Sequence, residues 1–356
     1  MLVSNDIKVT PAEKSRINEI NWDTLVFGKE FTDHMLVMNY ANGTWNTPEI
    51  VPFGNLALHP ATSALHYGQS LFEGLKAYRQ VNGDVTVFRP DMNAVRFKES
   101  CERMCMPVID EELFIQTILK FVETEKSWVS DREGYALYLR PFMFATDPYV
   151  GIRPSETYTF VIFGCPVGQY YSEPVRVKIE EHYTRAAAGG VGRAKVAGNY
   201  GAAMYPAKLG QNEGFHQLLW TDGVSHEYIE ESGTMNVMFV KNGTIITPTE
   251  ESDTILRGIT KRSVIEVAQH WGLKVEERKV SIKEVIEGIK DGSITEMFGA
   301  GTAATIAPIA KLGYRDEVLE LSPVETREFS NKVSQYISDI KIGKAEDIFG
   351  WNFKVS

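Results

Sequence analysis

Short runs of alternating apolar and polar residues, broken by turn-forming pairs, dominate both halves of the chain. Three Asn-Gly pairs fall beside such runs: Asn42-Gly43 after residues 35–40, Asn82-Gly83 between 76–81 and 85–88, and Asn242-Gly243 between 237–240 and 244–247. Asn-Gly supplies the positive φ that type I′ turns require, so each pair predicts a hairpin, and antiparallel sheet is expected in both halves. Helical periods come in blocks. Residues 90–104 open at Asp91, and 110–126 carry Leu113, Ile118, Leu119 and Val122 on one face. Residues 260–271 stop at Gly272, 281–290 open with a capping box of Ser281 and Glu284, and 322–340 open with Ser322, Pro323 and Glu325 in the same arrangement. Blocks of strands and helices, rather than strict alternation, predict α+β domains. Residues 164–174, with Gly164, Pro166, Gly168 and Pro174, read as a linker between a smaller N-terminal domain over 1–163 and a larger one over 175–356.

Composition narrows the function classes. A length of 356 residues suits two domains, and 43% apolar with 24% charged residues is ordinary for a folded chain. Lys plus Arg number 37 against 47 Asp plus Glu, a net charge of -10. That balance disfavours tracking a nucleic-acid backbone or an anionic membrane, while leaving room for a small basic pocket. The densest apolar run, 158–166, is the length of a buried strand, short of the roughly 18 residues of a membrane span. The first residues, with Asn5, Asp6, Lys8, Glu13 and Lys14, lack the apolar stretch of a secretory leader. Cys101, Cys105 and Cys165 form no disulfide framework or zinc pattern, so buried, reduced thiols in the cytoplasm are expected.

Common catalytic signatures are missing. Gly28-Lys29 and Gly343-Lys344 lack the glycine spacing of a phosphate-binding loop, and neither a Gly-x-Ser-x-Gly elbow nor a His-Glu-x-x-His helix occurs. The histidines (His34, His59, His66, His182, His216, His226, His270) are scattered, so no metal centre or histidine catalyst is expected.

Chemistry concentrates elsewhere. Ala186-Ala-Ala-Gly-Gly-Val-Gly-Arg-Ala-Lys195-Val-Ala-Gly198-Asn199-Tyr200-Gly surrounds one lysine with small residues. Such a run gives a planar ring close access to backbone, and a lysine without solvating neighbours loses basicity and can form a Schiff base. Taken alone it reads more readily as a Gly-rich turn with a solvated lysine. Tyr228-Ile-Glu-Glu231-Ser-Gly233-Thr-Met-Asn236 places a carboxylate before a turn, where it can meet a ring nitrogen or be a surface acid pair. Leu256-Arg-Gly258-Ile259-Thr260 opens a helix, either as a phosphate seat or as an ordinary N-cap. Gly299-Ala-Gly301-Thr302-Ala303-Ala304 follows an apolar strand and either presents amides to an anion or packs tightly.

Jointly these segments resemble the branched-chain amino acid aminotransferases, pyridoxal-phosphate enzymes of fold type IV, and within them the larger subclass that includes the animal enzymes. The resemblance runs from about Phe27 to the C-terminus. It includes Phe31-Thr-Asp-His-Met35, the run from His66-Tyr67 through Phe72-Glu-Gly to Tyr78, Phe88-Arg-Pro-Asp-Met-Asn93, Tyr138-Leu-Arg140-Pro141, and Glu296-Met-Phe-Gly-Ala-Gly-Thr302-Ala303. It implies a two-domain α+β fold like that of D-amino acid aminotransferase, with antiparallel-rich sheets, helices in each domain and the cofactor between the domains. Carried over by position, Lys195 is the catalytic lysine that binds pyridoxal 5'-phosphate and carries the proton. Glu231 faces the pyridine nitrogen and Tyr200 the phenolic oxygen. Arg96, Ile259, Thr260 and Thr302 hold the phosphate, and Arg185 lies near the cofactor. Thr302, Ala303 and Tyr138 receive the substrate α-carboxylate. Tyr67 and Phe72 line the apolar pocket, Tyr67 from its own or a partner subunit, and Arg140 meets the distal carboxylate of glutamate.

The implied activity is ping-pong transfer of the amino group between leucine, isoleucine or valine and 2-oxoglutarate, with glutamate and branched 2-oxo acids as the other partners, in a cytoplasmic homodimer. Another fold type IV enzyme, a D-amino acid aminotransferase or an aminodeoxychorismate lyase, is the alternative, and Tyr138-Leu-Arg140-Pro141 with Phe72-Glu-Gly argues against both. A cofactor-binding protein without turnover is disfavoured by intact Lys195, Tyr200 and Glu231. A dinucleotide-dependent dehydrogenase is disfavoured because Gly189–Gly192 lacks the strand-turn-helix context. One departure stands out: the animal enzymes carry a Cys-x-x-Cys redox pair after the Gly-Thr turn, where this chain has Ala304-Thr305-Ile306-Ala307, so thiol regulation is not expected there.

Overall fold

The computed structural model describes residues 7–168 and 173–356. The chain divides into two units: Met1–Tyr170 with Ala194–Gly198 and Asp339–Ser356, and Tyr171–Arg193 with Asn199–Ser338. Both are mixed α and β, as the sequence predicts. The boundary differs from expectation. The strand Tyr158–Val167 continues through Gly164 and Pro166, because Gly164 and Pro166 pair with Leu139 and Leu137 of the strand Ala136–Ala145. The expected linker therefore begins inside a ten-residue strand, and its residues 169–172 lie outside the described residues. Two later segments also return to the first unit, which pattern alone does not reveal.

In the first unit a ten-stranded sheet among the described residues has the order Lys8–Val9, Glu49–Pro52, His34–Ala41, Tyr158–Val167, Ala136–Ala145, Leu75–Arg79, Val85–Phe88 and Asn352–Lys354, with Thr44–Trp45 and Ser70–Phe72 paired off this path. Its pairings are antiparallel save that of Lys8–Val9. The helices Pro90–Arg103 and Glu111–Thr124 contribute Phe97 and Phe114, whose rings meet Phe160 of the central strand at 5.4 and 6.0 Å. Asp110 caps the second of these helices, its carboxylate accepting from the amides of Glu112 and Leu113.

In the second unit a six-strand circuit closes: Ile229–Ser232, Gln217–Thr221, Val175–Ile179, Thr305–Tyr314, Ile294–Gly301, Met235–Lys241 and back to Ile229–Ser232. Val177, Leu219, Val237, Phe239, Met297 and Ile309 belong to its buried core. Val175–Ile179 runs parallel to both neighbours. This departs from an antiparallel expectation built on hairpin signals, which cannot report strands joined by long crossovers. The crossover here includes the helix Ala197–Asn212, concealed in the sequence by Gly198, Gly201, Pro206 and Gly210.

Two Asn-Gly pairs make the predicted turns, with φ of 53° and 80° at Asn42 and Gly43 and 49° and 75° at Asn242 and Gly243. Asn82-Gly83 lies in its predicted hairpin too, but in a longer loop than a two-residue turn. Its strands end at Arg79 and Val85, and the intervening loop is held by the Asn82 carboxamide accepting from the Asp84 amide at 2.9 Å. Ser281 caps Ile282–Lys290 as predicted, but the second capping box fails. Ser322 instead gives its carbonyl to the buried Arg327, and the helix begins at Phe329, where the Glu296 carboxylate accepts from the amides of Phe329 and Ser330 at 2.9 and 2.7 Å. The cap thus comes from a distant strand. Cys101 and Cys165 are buried, whereas Cys105 is exposed at φ 52°, because it lies just beyond its helix.

Candidate active-site residues

Four of the expected residues in the first unit gather at one ring. Phe72 ends a short strand paired with Ala136–Ala145. The Arg140 guanidinium lies 4.6 Å from its centroid and 5.4 Å from that of Tyr138, and Arg140 Nη2 donates to the Tyr138 hydroxyl at 3.1 Å. Lys195 Nζ lies 4.9 Å from the Phe72 centroid. Backbone fixes Lys195 there: the Phe72 amide donates to its carbonyl at 3.0 Å, and its own amide donates to Ser100 Oγ at 3.1 Å. The Tyr138 hydroxyl occupies the space that a side chain at Gly74 would need, 2.2 Å from an added Cβ, so only glycine suits that turn. Arg140 Nε is buried without a hydrogen-bond acceptor among the described residues, a donor that a ligand carboxylate can satisfy.

Arg96 lies in the same unit under a second constraint. Its Nε and Nη2 make a two-pronged contact with Glu73, both at 2.7 Å, and Asn93 donates to the same carboxylate at 2.6 Å. A guanidinium held by two such bonds is fixed in orientation. Glu73 and Asn93 were not singled out from sequence, although both lie inside motifs that were. Tyr67 ends the helix Ser63–Tyr67 at 42% exposure, with His66 as ring neighbour at 6.2 Å. None of the contacts tying the Phe72 group together among the described residues includes it.

The second unit brings together a separate group of the expected residues. Glu231 pairs across its hairpin with Asn236, and Asn236 stands opposite Ala300, so one row of the closed sheet joins Glu231 to the Gly299–Ala303 run. The Glu231 carboxylate is buried. Its Oε1 accepts from the Leu256 amide at 2.7 Å and from Asn236 Nδ2 at 3.4 Å. Oε2 lies 3.1 Å from Arg185 Nε, an ion pair whose N–H is not aligned to donate. Arg185 also donates to the Thr254 carbonyl. The neighbouring Glu230 turns to the Thr254 hydroxyl, and burial raises its carboxyl above the usual range.

Beside this row the helix Ile259–His270 begins. An added Cβ on its N-cap, Gly258, would stand 1.7 Å from Asn236 Oδ1, and Asn236 also donates to the Leu256 carbonyl at 2.9 Å. Asn236 therefore locks the acid to the helix end that carries Ile259 and Thr260. Thr302 and Ala303 lie in the turn between Ile294–Gly301 and Thr305–Tyr314, under which Gly299 and Gly301 admit the Met235 side chain. Tyr200 is half-buried in the first turn of Ala197–Asn212, and Asn199 ties that turn to the glycine run through the Val191 carbonyl at 2.9 Å. Among the described residues no cluster of metal-ligating side chains occurs, and no helix is long and apolar enough to cross a membrane.

Lysine, buried carboxylate, glycine-bounded helix end and amide-presenting turn are the parts of a pyridoxal-phosphate transferase, and the amino-transferase class IV model matches residues 70–312. The chain belongs to that family. It is 45% identical over 336 residues to the branched-chain-amino-acid aminotransferase 2 of Bacillus subtilis, covering 93% of this chain and 92% of that one. It is also 42% identical over 358 residues to a probable branched-chain-amino-acid aminotransferase of Staphylococcus aureus, covering 99% of each. Among solved structures, branched-chain aminotransferases of Thermoproteus uzoniensis and Escherichia coli share the fold at TM-scores of 0.75 and 0.74. Each is 24% identical and covers 91% of this chain, with 100% and 99% of the other chains covered.

Proposed function

We propose that the protein is a branched-chain amino acid aminotransferase that uses pyridoxal 5'-phosphate, the cofactor of its family, to move amino groups from leucine, isoleucine or valine to 2-oxoglutarate. The observation that carries the substrate reading is the Phe72 group: an apolar aromatic wall shared with a buried Arg140 donor that lacks an acceptor among the described residues. An isobutyl group suits the first and the distal carboxylate of glutamate the second. The named relatives support the same substrate class.

The second unit fits the cofactor, because Oε2 of Glu231 can accept from a protonated ring nitrogen and the Gly258 helix end offers amides to a phosphate. Bound there, the group supplies an electron sink that makes an amino acid's Cα acidic. The remaining work belongs to the chain. Glu231 favours a proton on the atom opposite it, Tyr200 donates to the phenolic oxygen, and Arg185 steadies the Glu231 carboxylate. Thr260, Ile259, Thr302 and Arg96 take the phosphate. Amides of Thr302 and Ala303 receive an α-carboxylate, as does the Tyr138 hydroxyl. Lys195 Nζ accepts the Cα proton and returns it one position along, serving as base and then acid. Phe72 and Tyr67 exclude water from the apolar side chain.

A cytoplasmic homodimer completes the reading. Self-association is supported by adjacent segments of the first unit, joined by the Thr62–Pro148 bridge, that expose Leu65, Tyr67, Tyr149, Val150 and Ile152. The deciding experiment is the absorbance spectrum of the purified protein before and after adding leucine. A yellow protein whose visible band is lost with leucine and restored by 2-oxoglutarate is expected. A protein that stays colourless after incubation with the cofactor overturns the reading.

A further inference from the structure

The first unit holds two buried lysines, Lys76 and Lys341, that the proposed reaction does not use. Lys76 stands directly opposite Tyr138, and Tyr138 opposite Cys165, in adjacent antiparallel strands. Directly paired residues project to one face, and Tyr78 and Arg140, each two residues along, share it. Lys341, the last residue of Phe329–Lys341, brings its amine 4.7 Å from the Phe88 centroid and 5.5 Å from that of Tyr78. Both lysines are buried, at 9% and 5% exposure. The face therefore holds Arg140, Lys76 and Lys341, together with Tyr138, Tyr78 and Cys165.

Electrostatics links these groups. Burial lowers Lys76 to about 8, and burial together with the charge of Lys76 lowers Lys341 to about 7. Burial raises Tyr78 and pushes Cys165 up to about 11, so both remain neutral where the lysines titrate. Two ammonium ions in one low-dielectric patch repel, and their protons leave in steps that belong to the pair rather than to either amine. Cys165 feels both Arg140 and Lys76, which places the pair's charge within reach of the Tyr138–Arg140 group.

We propose that Lys76 and Lys341 form a proton-sharing pair behind Tyr138, a positioning device whose charge favours the dicarboxylic substrate over the monocarboxylic one. The inference rests on the reading of Tyr138 and Arg140 as substrate contacts. A dianion gains twice as much from a positive potential as a monoanion does. As the pair loses its charge, 2-oxoglutarate should therefore weaken more steeply than the 2-oxo acid of leucine, while proton transfer at Lys195 is untouched.

The test uses the holoenzyme labelled with 13C at the lysine ε carbon, with Lys76→Met and Lys341→Met assigning the two resonances. Both amines are expected to titrate near pH 7–8. Lys341→Met should move the Lys76 midpoint up and Lys341→Arg, which keeps its charge, should move it down. Either wild-type amine titrating in the ordinary lysine range near 10.4 overturns the pairing. In parallel, KM for 2-oxoglutarate should rise roughly fivefold across this pH window, and that for the 2-oxo acid of leucine roughly twofold, with kcat nearly constant. The rise should shift in opposite directions in Lys341→Met and Lys341→Arg. Coupled amines with identical KM profiles in all variants overturn the positioning role. If the wild type transfers nothing from leucine to 2-oxoglutarate, the functional reading fails instead, and the titration still decides whether the amines share a proton.

Discussion

The two constellations are built from different materials. In the second unit the functional groups are fixed by backbone: the Leu256 amide holds Glu231, and Gly258, Gly299 and Gly301 let Asn236 and Met235 approach main chain that any side chain would block. In the first unit cations rest on aromatic faces, Arg140 on Phe72 and Tyr138, Lys195 on Phe72, and Lys341 on Phe88 and Tyr78. Backbone donors are directional and reorganise little, which suits a group that stays bound through both half-reactions. An aromatic face is an apolar wall to a branched side chain and a partner to a guanidinium, so one surface can serve two unlike substrates. The contrast predicts that damage to the second unit strikes every substrate alike, and that damage to the first discriminates between them.

Lys195 breaks that contrast, since it stands in the first unit yet is proposed to serve every turnover. Lys195→Ala is expected to bind the cofactor through the phosphate contacts but to lose turnover by at least about 10²–10⁴-fold with every amino acid, the contribution of a positioned proton carrier. Borohydride reduction followed by peptide mapping checks it: covalent trapping should occur on Lys195 in the wild type and vanish in the variant. Label on another lysine would assign the role elsewhere.

Glu231→Gln comes next. A neutral amide no longer favours the protonated ring nitrogen, and losing one preorganised charge is worth about 2.7–4 kcal/mol, roughly 10²–10³ in rate. Single-turnover rates for leucine and glutamate should fall by the same factor while the cofactor remains bound. Unequal losses would show that Glu231 acts on the substrate side chain, and the proposed division of labour would fail.

How legible this division was from sequence follows from the same physics. Turns and caps that depend on adjacent residues were readable: Asn42-Gly43, Asn242-Gly243, and Ser281 with Glu284 behave as local chemistry dictates. Features that depend on distant partners were not. Glu296 caps a helix 33 residues downstream, and the parallel pairing of Val175–Ile179 leaves no turn signature. The candidate residues could be named because each sits in a compact local motif, and the resemblance supplied the roles proposed for them, which spacing could not. What escaped were the supports, Glu73 under Arg96 and Asn236 between Glu231 and Gly258, together with the Lys76–Lys341 face. Cross-strand register and a helix end create that face, and neither is written within a window of the chain.

Arg140→Met sharpens the comparison at smaller amplitude. It removes a charge-assisted contact of about 1.5–3 kcal/mol and leaves a glutamate carboxylate buried without a partner, while the thioether still lines an apolar wall. The glutamate half-reaction should slow roughly 10- to 100-fold and the leucine one only a few-fold, read by stopped-flow single turnover with each amino acid. Equal losses would place Arg140 at the α-carboxylate common to both.

The smallest effect concerns stability, and its sign is unusual for the loss of a charged residue. Lys341 ordinarily titrates near 10.5 and is lowered to about 7 by burial and then by the charge of Lys76. Below pH 7 the amine is protonated in both folded and unfolded chains, so the folded state carries the whole cost of a buried charge. Between about 7 and 10.5 the unfolded chain binds more protons, and stability rises with pH; above 10.5 both states are neutral and the cost is gone. Lys341→Met keeps the stem against Tyr78 and Phe88 while removing that cost, less the lost attraction of the ammonium to the two rings. The variant should be more stable than the wild type by about 1–2 kcal/mol at pH 7, with the gain shrinking towards zero by pH 10.5. Urea unfolding midpoints of both proteins at the two pH values measure it. A variant less stable at pH 7, or a gain that does not depend on pH, would mean that Lys341 is charged and well compensated in the fold, and the aromatic face would then be a conventional cation site rather than a strained one.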